Sequence, residues 1–274
     1  MIAITLLTRD RRPFFERALR YALAQRDCPP FRVVVLDDGH DAVEDLCGRD
    51  PRVAYYSYPP GTFPTLGDKR NESIALAHDC DTIAIWDDDD WSHSNRLEVA
   101  VGTLEREAAD FAAAAAGYRL TLGTHKVLYQ PGPSLDAIAT WPSDPFGIIF
   151  ASSVFKRSLW EKVGGFPARD VGEDVKFCAR AHELGARFAT WTKPHSGGWS
   201  LDALYLIVDH AENTSRRAPT RPFPWRLATF MERLNLAAWV GNAAWLDYTN
   251  APDGDAKTLA AIWRGYRAAR EKTR

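Results

Sequence analysis

Apolar and polar positions along the first ninety residues follow two alternating periods. "MIAITLLT" (1–8) is a compact apolar run with a β-branched bias, which predicts a buried strand. In "RPFFERALRYALAQ" (12–25), Phe14, Ala18, Tyr21 and Ala22 fall at helical spacing, and Pro13 suits a first helical turn. "FRVVVLDDG" (31–39) predicts a second buried strand with a polar end, and "DAVEDLC" a short helix. A third strand, "RVAYYSYPP" (52–60), closes on prolines; "DKRNESIALAHDC" (68–80) is helical, and "DTIAIW" (81–86) is a fourth strand. Strand and helix in this rhythm predict an α/β fold with a largely parallel sheet.

Ligands in open parallel sheets bind beyond the carboxyl ends of the strands. Three predicted strand ends carry polar side chains: Thr8 with Arg9 and Asp10, Asp37 with Asp38, and the four consecutive aspartates Asp87 to Asp90. Such ends also cap helices or face water, but three of them on one rim point to a site. Clustered carboxylates repel one another and call for a cation, and oxygen ligands select hard ions such as Mg²⁺ or Mn²⁺. Magnesium characteristically takes one or two protein carboxylates and completes its shell with phosphate oxygens. Neither GxxxxGK[ST] nor a GxGxxG after the first strand is present, so a metal rather than a glycine-rich backbone is expected to hold the phosphates.

Composition narrows this further. The chain has 274 residues, with 34 Lys and Arg against 36 Asp and Glu, a balance that argues against a nucleic-acid-binding face. Cys28, Cys47, Cys80 and Cys178 lie far apart without zinc spacing and read as reduced, mostly buried thiols. No apolar run approaches the ~20 residues that span a bilayer, and the N-terminus lacks a signal-peptide pattern. The expected location is cytoplasmic, or peripheral at the inner face of the membrane.

Five stretches in order resemble glycosyltransferases of the GT-A fold, family 2 type, across roughly residues 1 to 215. "ITLLTRDRRPFFERALRYALAQ" resembles the opening strand and helix, "FRVVVLDDG" the second strand, and "GDKRNESIALA" the Arg-Asn helix start beside the donor. "IAIWDDDDWSHSNRL" resembles the DxD strand with its following Arg-Leu. "SSVFKRSLWEKVGGFPARDVGEDVKFCARAHELG" (152–185) resembles the acceptor half with its Glu-Asp pair. The sequence departs from the family where Ser94 stands in place of a common Pro. It departs again where the run Arg9-Asp10-Arg11-Arg12 replaces the usual Asn near Asp10.

The resemblance implies a GT-A, Rossmann-like fold and a metal-dependent, inverting transfer of a sugar from a nucleotide-diphosphate donor, UDP foremost, to an acceptor hydroxyl. Thr8 and Asp38 are implied as nucleoside contacts, with Asp37 supporting Asp38 and Arg70 near the uracil or the diphosphate. Asp87 and Asp89 are implied as the metal-binding D and D of DxD, with Asp88 reaching ribose or metal through water and Asp90 capping a helix that starts near Ser92 or Ser94. Direct displacement needs one base, and Asp174 is implied in that role beside Glu173, although a Glu-Asp pair also suits a plain helix N-terminus. "VDHAENTS" (208–215) resembles a family element that brings His210 to the metal or leaving-group side, with His195 of "KPHSGGWS" as its competitor. Trp141 and Trp199, in Pro- or Gly-rich loops, are candidates to stack on a sugar acceptor.

The expected organisation is a catalytic domain over 1–215, divided into a nucleotide-sugar half (1–100) and an acceptor half (101–215), with a helical extension over 216–274. "WRLATFMERLNLAAWVGNAAWL" (225–246) carries a helical stripe of Leu227, Phe230, Met231, Leu234 and Ala238, and "DAKTLAAIWRGYRAAREK" (255–272) is a second, basic helix. These helices read as an appendage docked on the domain, or alternatively as a membrane-surface contact that suits a lipid-linked rather than a free carbohydrate acceptor. Two other functions fit parts of the pattern. A catalytically idle nucleotide-sugar binder would release no nucleoside diphosphate when acceptor is added. A nucleotidyltransferase would release pyrophosphate, and it expects a Gly-rich loop where "LLTRDRRPFF" stands.

Overall fold

A computed structural model describes residues 1–121, 126–130, 148–191, 205–209 and 226–227. Its centre is a seven-stranded sheet. Strands β1 (Ile2–Thr8), β2 (Phe31–Asp37), β3 (Val53–Ser57) and β4 (Thr82–Asp87) are followed by β6 (Phe111–Ala114), β9 (Ile149–Lys156) and β10 (Phe188–Thr190). Spatial order is β10-β6-β9-β4-β1-β2-β3, with β9 antiparallel to both neighbours and the other pairs parallel. A second sheet joins β5 (Trp91–Ser92), β7 (Gly117–Thr121), β8 (Lys126–Gln130), β11 (Tyr205–Asp209) and β12 (Arg226–Leu227) in the order β12-β8-β7-β11-β5. The α/β, mostly parallel architecture expected from the sequence is therefore the one found.

The central strands are apolar on both faces because helices cover both. On one side, Ile2, Ile4, Leu6, Val33 and Val35 pack with α1 (Arg12–Leu23) and α4 (Arg96–Arg106) through Phe15, Leu19, Leu97, Val101 and Leu104. On the other, Ala3, Val34, Ile83 and Ile85 meet Ile74 of α3 (Leu66–Leu76), Leu159 of α5 (Arg157–Val163) and Phe177 of α6 (Glu173–Glu183). Adjacent strand residues thus serve opposite cores, as the two-residue repeat requires. A short helix, α2 (Glu44–Cys47), follows β2.

Several boundaries differ from the sequence expectation. The buried stripe of α1 is Phe15, Ala18, Leu19 and Ala22; Phe14 and Tyr21 are only half-buried, so the core-facing side is rotated by one residue at the start. Helix α3 begins at Leu66 rather than 68, because Thr65 caps it: the Thr65 hydroxyl oxygen accepts from the Asp68 amide at 3.2 Å. Residues 91–92 form a strand and α4 starts only at Arg96, so Asp90 caps no helix. Arg226 and Leu227 pair antiparallel with β8, which removes them from the helix expected over 225–246; the rest of that helix and the second one lie outside the described residues.

Free thiols stand at all four cysteines, with Cys47, Cys80 and Cys178 buried and Cys28 half-buried. Among the described residues no helix is long and apolar enough to cross a membrane.

Candidate active site

Parallel register brings the polar strand ends to one edge. Thr8 sits beside Asp37 across β1–β2, and Leu7 beside Asp87 across β1–β4. The chain leaves β1 toward β2 and β3 on one side and returns at β4 on the other, so β1 and β4 flank the switch point where such sheets open a crevice.

Each of the four aspartates after β4 has its own surroundings. Asp87 is the most open, with Arg70 Nη2 at 3.7 Å. Asp88 and Asp89 share one guanidinium nitrogen: Arg11 Nη1 donates to Asp88 Oδ1 at 3.0 Å and to Asp89 Oδ2 at 2.9 Å. Asp90 turns toward β11, accepting from the Tyr205 hydroxyl and, at 2.8 Å, from the Val208 amide. One carboxylate oxygen each from Asp87, Asp89 and Asp90 lies within 4.8 Å of the others. Three hard oxygen donors at this spacing fit a divalent cation such as Mg²⁺ or Mn²⁺. Asp88, held by Arg11, is the aspartate left out of the group. Asp90 takes the place among the oxygens that the DxD pattern alone does not give it.

Charge in this cluster is costly. Burial and the neighbouring Asp89 push the Asp88 carboxyl up to about 7, against the pull of Arg11. Burial likewise raises Asp87, which Arg70 partly offsets, and raises Asp90 well above the usual carboxylate range. Beneath them Arg96 is fully buried, donating to the Ser92 hydroxyl at 2.8 Å and to the carbonyls of Ile85 (2.6 Å) and Ala151 (2.8 Å). Its guanidinium lies 4.3 Å from the Trp86 ring centroid and 4.8 Å from that of Tyr205. Burial lowers it to about 10, so it still supplies a fixed positive charge under the aspartates at neutral pH.

The β1–β2 end is built on Asp37 and Asp38. Asp37 accepts from the amides of Gly39 (2.9 Å) and Val43 (3.2 Å) and from the Tyr55 hydroxyl (3.0 Å), so it shapes the loop after β2. Asp38 is completely buried between two cations: Lys69 Nζ and Arg9 Nε both donate to Oδ1, and Arg9 Nη2 donates to Oδ2. Lys69 also donates to the Thr8 carbonyl at 2.6 Å. These hydrogen bonds hold the Asp38 carboxyl below its ordinary value despite the opposing effect of burial. The buried Thr8 hydroxyl makes no hydrogen bond of ordinary geometry, although it lies close enough to Asp88 to favour that carboxylate's charged form.

Arg70 ties this edge to the downstream half. Its Nε donates to Glu173 Oε1 at 3.3 Å while Nη2 approaches Asp87, and the guanidinium lies over the Phe150 ring. Arg70 thus stands between Asp87 and Glu173. Glu173 opens α6 and is buried, which raises its carboxyl against the pull of Arg70. Asp174 is half-exposed and accepts from the Val175 amide at 2.7 Å. Asn71 clamps the turn before α6. Its Oδ1 accepts from the Phe166 amide (2.7 Å) and the Trp160 indole N–H (3.0 Å), and Nδ2 donates to the Phe166 carbonyl (2.8 Å).

The structure thus gathers Thr8, Asp37, Asp38, Arg70, Asp87, Asp88, Asp89, Glu173 and Asp174 around the β1–β4 crevice and its flank. His210, His195, Trp141 and Trp199 lie outside the described residues. Sequence reasoning missed Arg11 and Lys69 as partners of the acidic residues. Arg11 reaches Asp88 from 77 positions earlier in the chain. The signal available was the basic run Arg9-Asp10-Arg11-Arg12 at the end of an adjacent strand.

Residues 3–164 match the family model described as Glycosyl transferase family 2, a match that stops short of Glu173 and Asp174. A search of curated protein sequences finds no match. Among solved structures, the chain is similar to S. aureus TarS 1–349 in complex with UDP: TM-score 0.58, 15% identity, 97% of this chain and 70% of that chain. The same protein in complex with UDP-GlcNAc gives a TM-score of 0.54 at 15% identity, over 97% of this chain and 71% of that one. The mannosyltransferase PcManGT from Pyrobaculum calidifontis, in complex with GDP-Man and Mn²⁺, gives 0.50 at 18% identity, over 97% and 82%. At these identities the structural matches bear on the fold.

Proposed function

The chain belongs to glycosyl transferase family 2, and from that premise we propose that it moves a sugar from a nucleotide-diphosphate sugar to an acceptor hydroxyl by metal-dependent direct displacement with inversion. The observation that carries this reading is the grouping of Asp87, Asp89 and Asp90 oxygens at the switch point, tied through Arg70 to the Glu173-Asp174 helix start. Solved neighbours with this fold bind UDP, UDP-GlcNAc and GDP-Man, which supports a nucleotide-sugar donor, with UDP the first candidate here.

Asp87, Asp89 and Asp90 would hold Mn²⁺ or Mg²⁺, with His210 a further ligand. The cation supplies Lewis-acid charge to the leaving diphosphate. Thr8 and Asp38 are the nucleoside contacts in this reading, which requires Arg9 to release the buried Asp38 carboxylate as the nucleoside binds, with Asp37 fixing the loop behind them. Asp174 takes the acceptor hydroxyl's proton as that oxygen bonds to the anomeric carbon and the carbon–phosphate-oxygen bond breaks, leaving nucleoside diphosphate. Of the two acidic residues opening α6, Asp174 suits the base better: it is half-exposed, whereas Glu173 is buried and paired with Arg70. The acceptor is a carbohydrate or lipid-linked hydroxyl, and the catalytic domain is taken as 1–215, with Arg226 and Leu227 of the segment that follows adding a strand to its second sheet.

Titration calorimetry with UDP and Mn²⁺ tests the reading. Asp89→Ala should lose Mn²⁺-dependent nucleotide binding while the fold survives. An unchanged Mn²⁺ dependence would overturn the assignment.

A further inference from the structure

The β1–α1 turn, "TRDRRP", sends each of its arginines to a different acidic partner. Arg9 goes to Asp38, Arg12 to Asp41 and Asp45, and Arg11 to Asp88 and Asp89. The turn is fixed rather than merely attracted. Asp10 sits at φ 55°, and its Oδ1 accepts from the amides of His40 and Asp41. Gly39 packs so closely that an added Cβ would lie 2.6 Å from the Asp10 nitrogen. Arg11 is therefore delivered to the switch point by a braced backbone, with only 19% of its side chain exposed.

A guanidinium keeps its charge at any working pH, and its fork of donors suits phosphate oxygens as well as carboxylates. One Asp89 oxygen already accepts from Arg11, so a divalent cation meets a carboxylate that is partly neutralised. A diphosphate arriving with the cation offers Arg11 a replacement anion. Resting on the donor and metal reading above, we propose that Arg11 is a positioning residue that neutralises Asp88 and Asp89 in the donor-free enzyme and passes to the donor's diphosphate when metal and nucleotide bind together. The consequence is coupling: metal alone binds weakly, and metal and nucleoside diphosphate strengthen each other's binding by the same factor.

The test is calorimetry of the full chain with Mn²⁺ alone, with UDP plus Mn²⁺, and with Mn²⁺ plus saturating UDP. Arg11→Gln should bind Mn²⁺ alone more tightly, on the order of tenfold, because a neighbouring positive charge is gone. It should bind UDP in the presence of Mn²⁺ less tightly by a similar factor, so that the mutual strengthening shrinks. Arg11→Lys keeps the charge and should leave Mn²⁺ affinity near wild type, which separates charge from folding defects. Arg12→Gln, whose partners are Asp41 and Asp45, should move neither affinity. Unchanged or weaker Mn²⁺ binding by a folded Arg11→Gln protein, beside a wild type that binds Mn²⁺, overturns the role of Arg11 alone. A wild type that binds no Mn²⁺ with or without UDP overturns the metal reading and this inference with it.

Discussion

Arg70 and Glu173, 103 positions apart, form a buried ion pair at 3.3 Å that joins the middle of α3 to the start of α6. The same guanidinium faces Asp87 at 3.7 Å, so one side chain spans from the acidic cluster to the helix that carries Asp174. Removing one partner of a buried pair strands the other charge, typically at ~3–5 kcal/mol. Arg70→Met should therefore destabilise by about that amount in urea titrations. Adding Glu173→Gln to Arg70→Met should recover part of the loss, since the stranded carboxylate is gone. Purely additive effects in the double-mutant cycle would show that the two side chains act independently.

Asp174→Asn keeps the shape of the proposed base and removes its capacity to take a proton. Transfer should fall by ~10² to 10⁴-fold while donor affinity stays near wild type. Glu173→Gln should act more through stability, because Glu173 is buried against Arg70 rather than open to an acceptor. Transfer rates measured beside donor affinity for both variants check the assignment. Normal transfer by Asp174→Asn with a dead Glu173→Gln would move the base by one residue.

The same residues show how far the sequence could be read. Strands β1, β2 and β4 were legible as apolar, β-branched runs that are buried on both faces, whereas the half-buried β3 was legible from a Tyr-rich run that closes on prolines. Their polar ends were legible because parallel pairing places Thr8, Asp37 and Asp87 on one edge whatever the details of the helices. The core stripe of α1 was misplaced because Phe14 and Phe15 are adjacent and both begin acceptable helical patterns; packing against β1 selects Phe15. Arg11 and Lys69 were not legible as partners of Asp88, Asp89 and Asp38, since long-range ion pairing depends on which loops meet across the sheet. Asp90 fell to a local reading, helix capping, when its partners come from β11 more than a hundred residues downstream.

Asp88 makes the metal-free protein's stability pH-dependent. Its carboxyl rises from an ordinary 3.8 to about 7 in the fold, chiefly through burial and then through Asp89. Between those values the folded protein holds a proton that the unfolded chain has released. Stability contributed by the protonated form is complete below pH ~4 and is lost as pH rises through about 7. The loss from this group is on the order of a few kcal/mol. Asp88→Asn removes the titration, so urea midpoints of the variant relative to wild type should rise between pH 5 and pH 8. A difference that does not change with pH would show that Asp88 ionises freely in the fold.

Gly67 is the point where α3 meets the segment leading to Glu173 and Asp174. Its amide donates to the Arg169 carbonyl at 3.0 Å, and the neighbouring Leu66 amide donates to Asp170 Oδ1 at 3.1 Å. A Cβ at Gly67 would stand 2.0 Å from the Pro167 carbonyl oxygen, which is backbone and cannot swing aside as a side chain would. Gly67→Ala must therefore push residues 167–170 away from α3. Overpacking of this kind costs ~1–3 kcal/mol. The displaced segment also carries the α6 start out of register with Arg70, so transfer should fall more than donor binding does. Gly102→Ala in α4 is the matched control: a Cβ there meets nothing within 4 Å, and an exchange of Gly for Ala in a helix interior stabilises by up to ~1 kcal/mol. Urea titration and transfer assays of both variants check the contrast. Equal stability and equal transfer in the two would mean that the α3 contact does not position the Glu173-Asp174 helix.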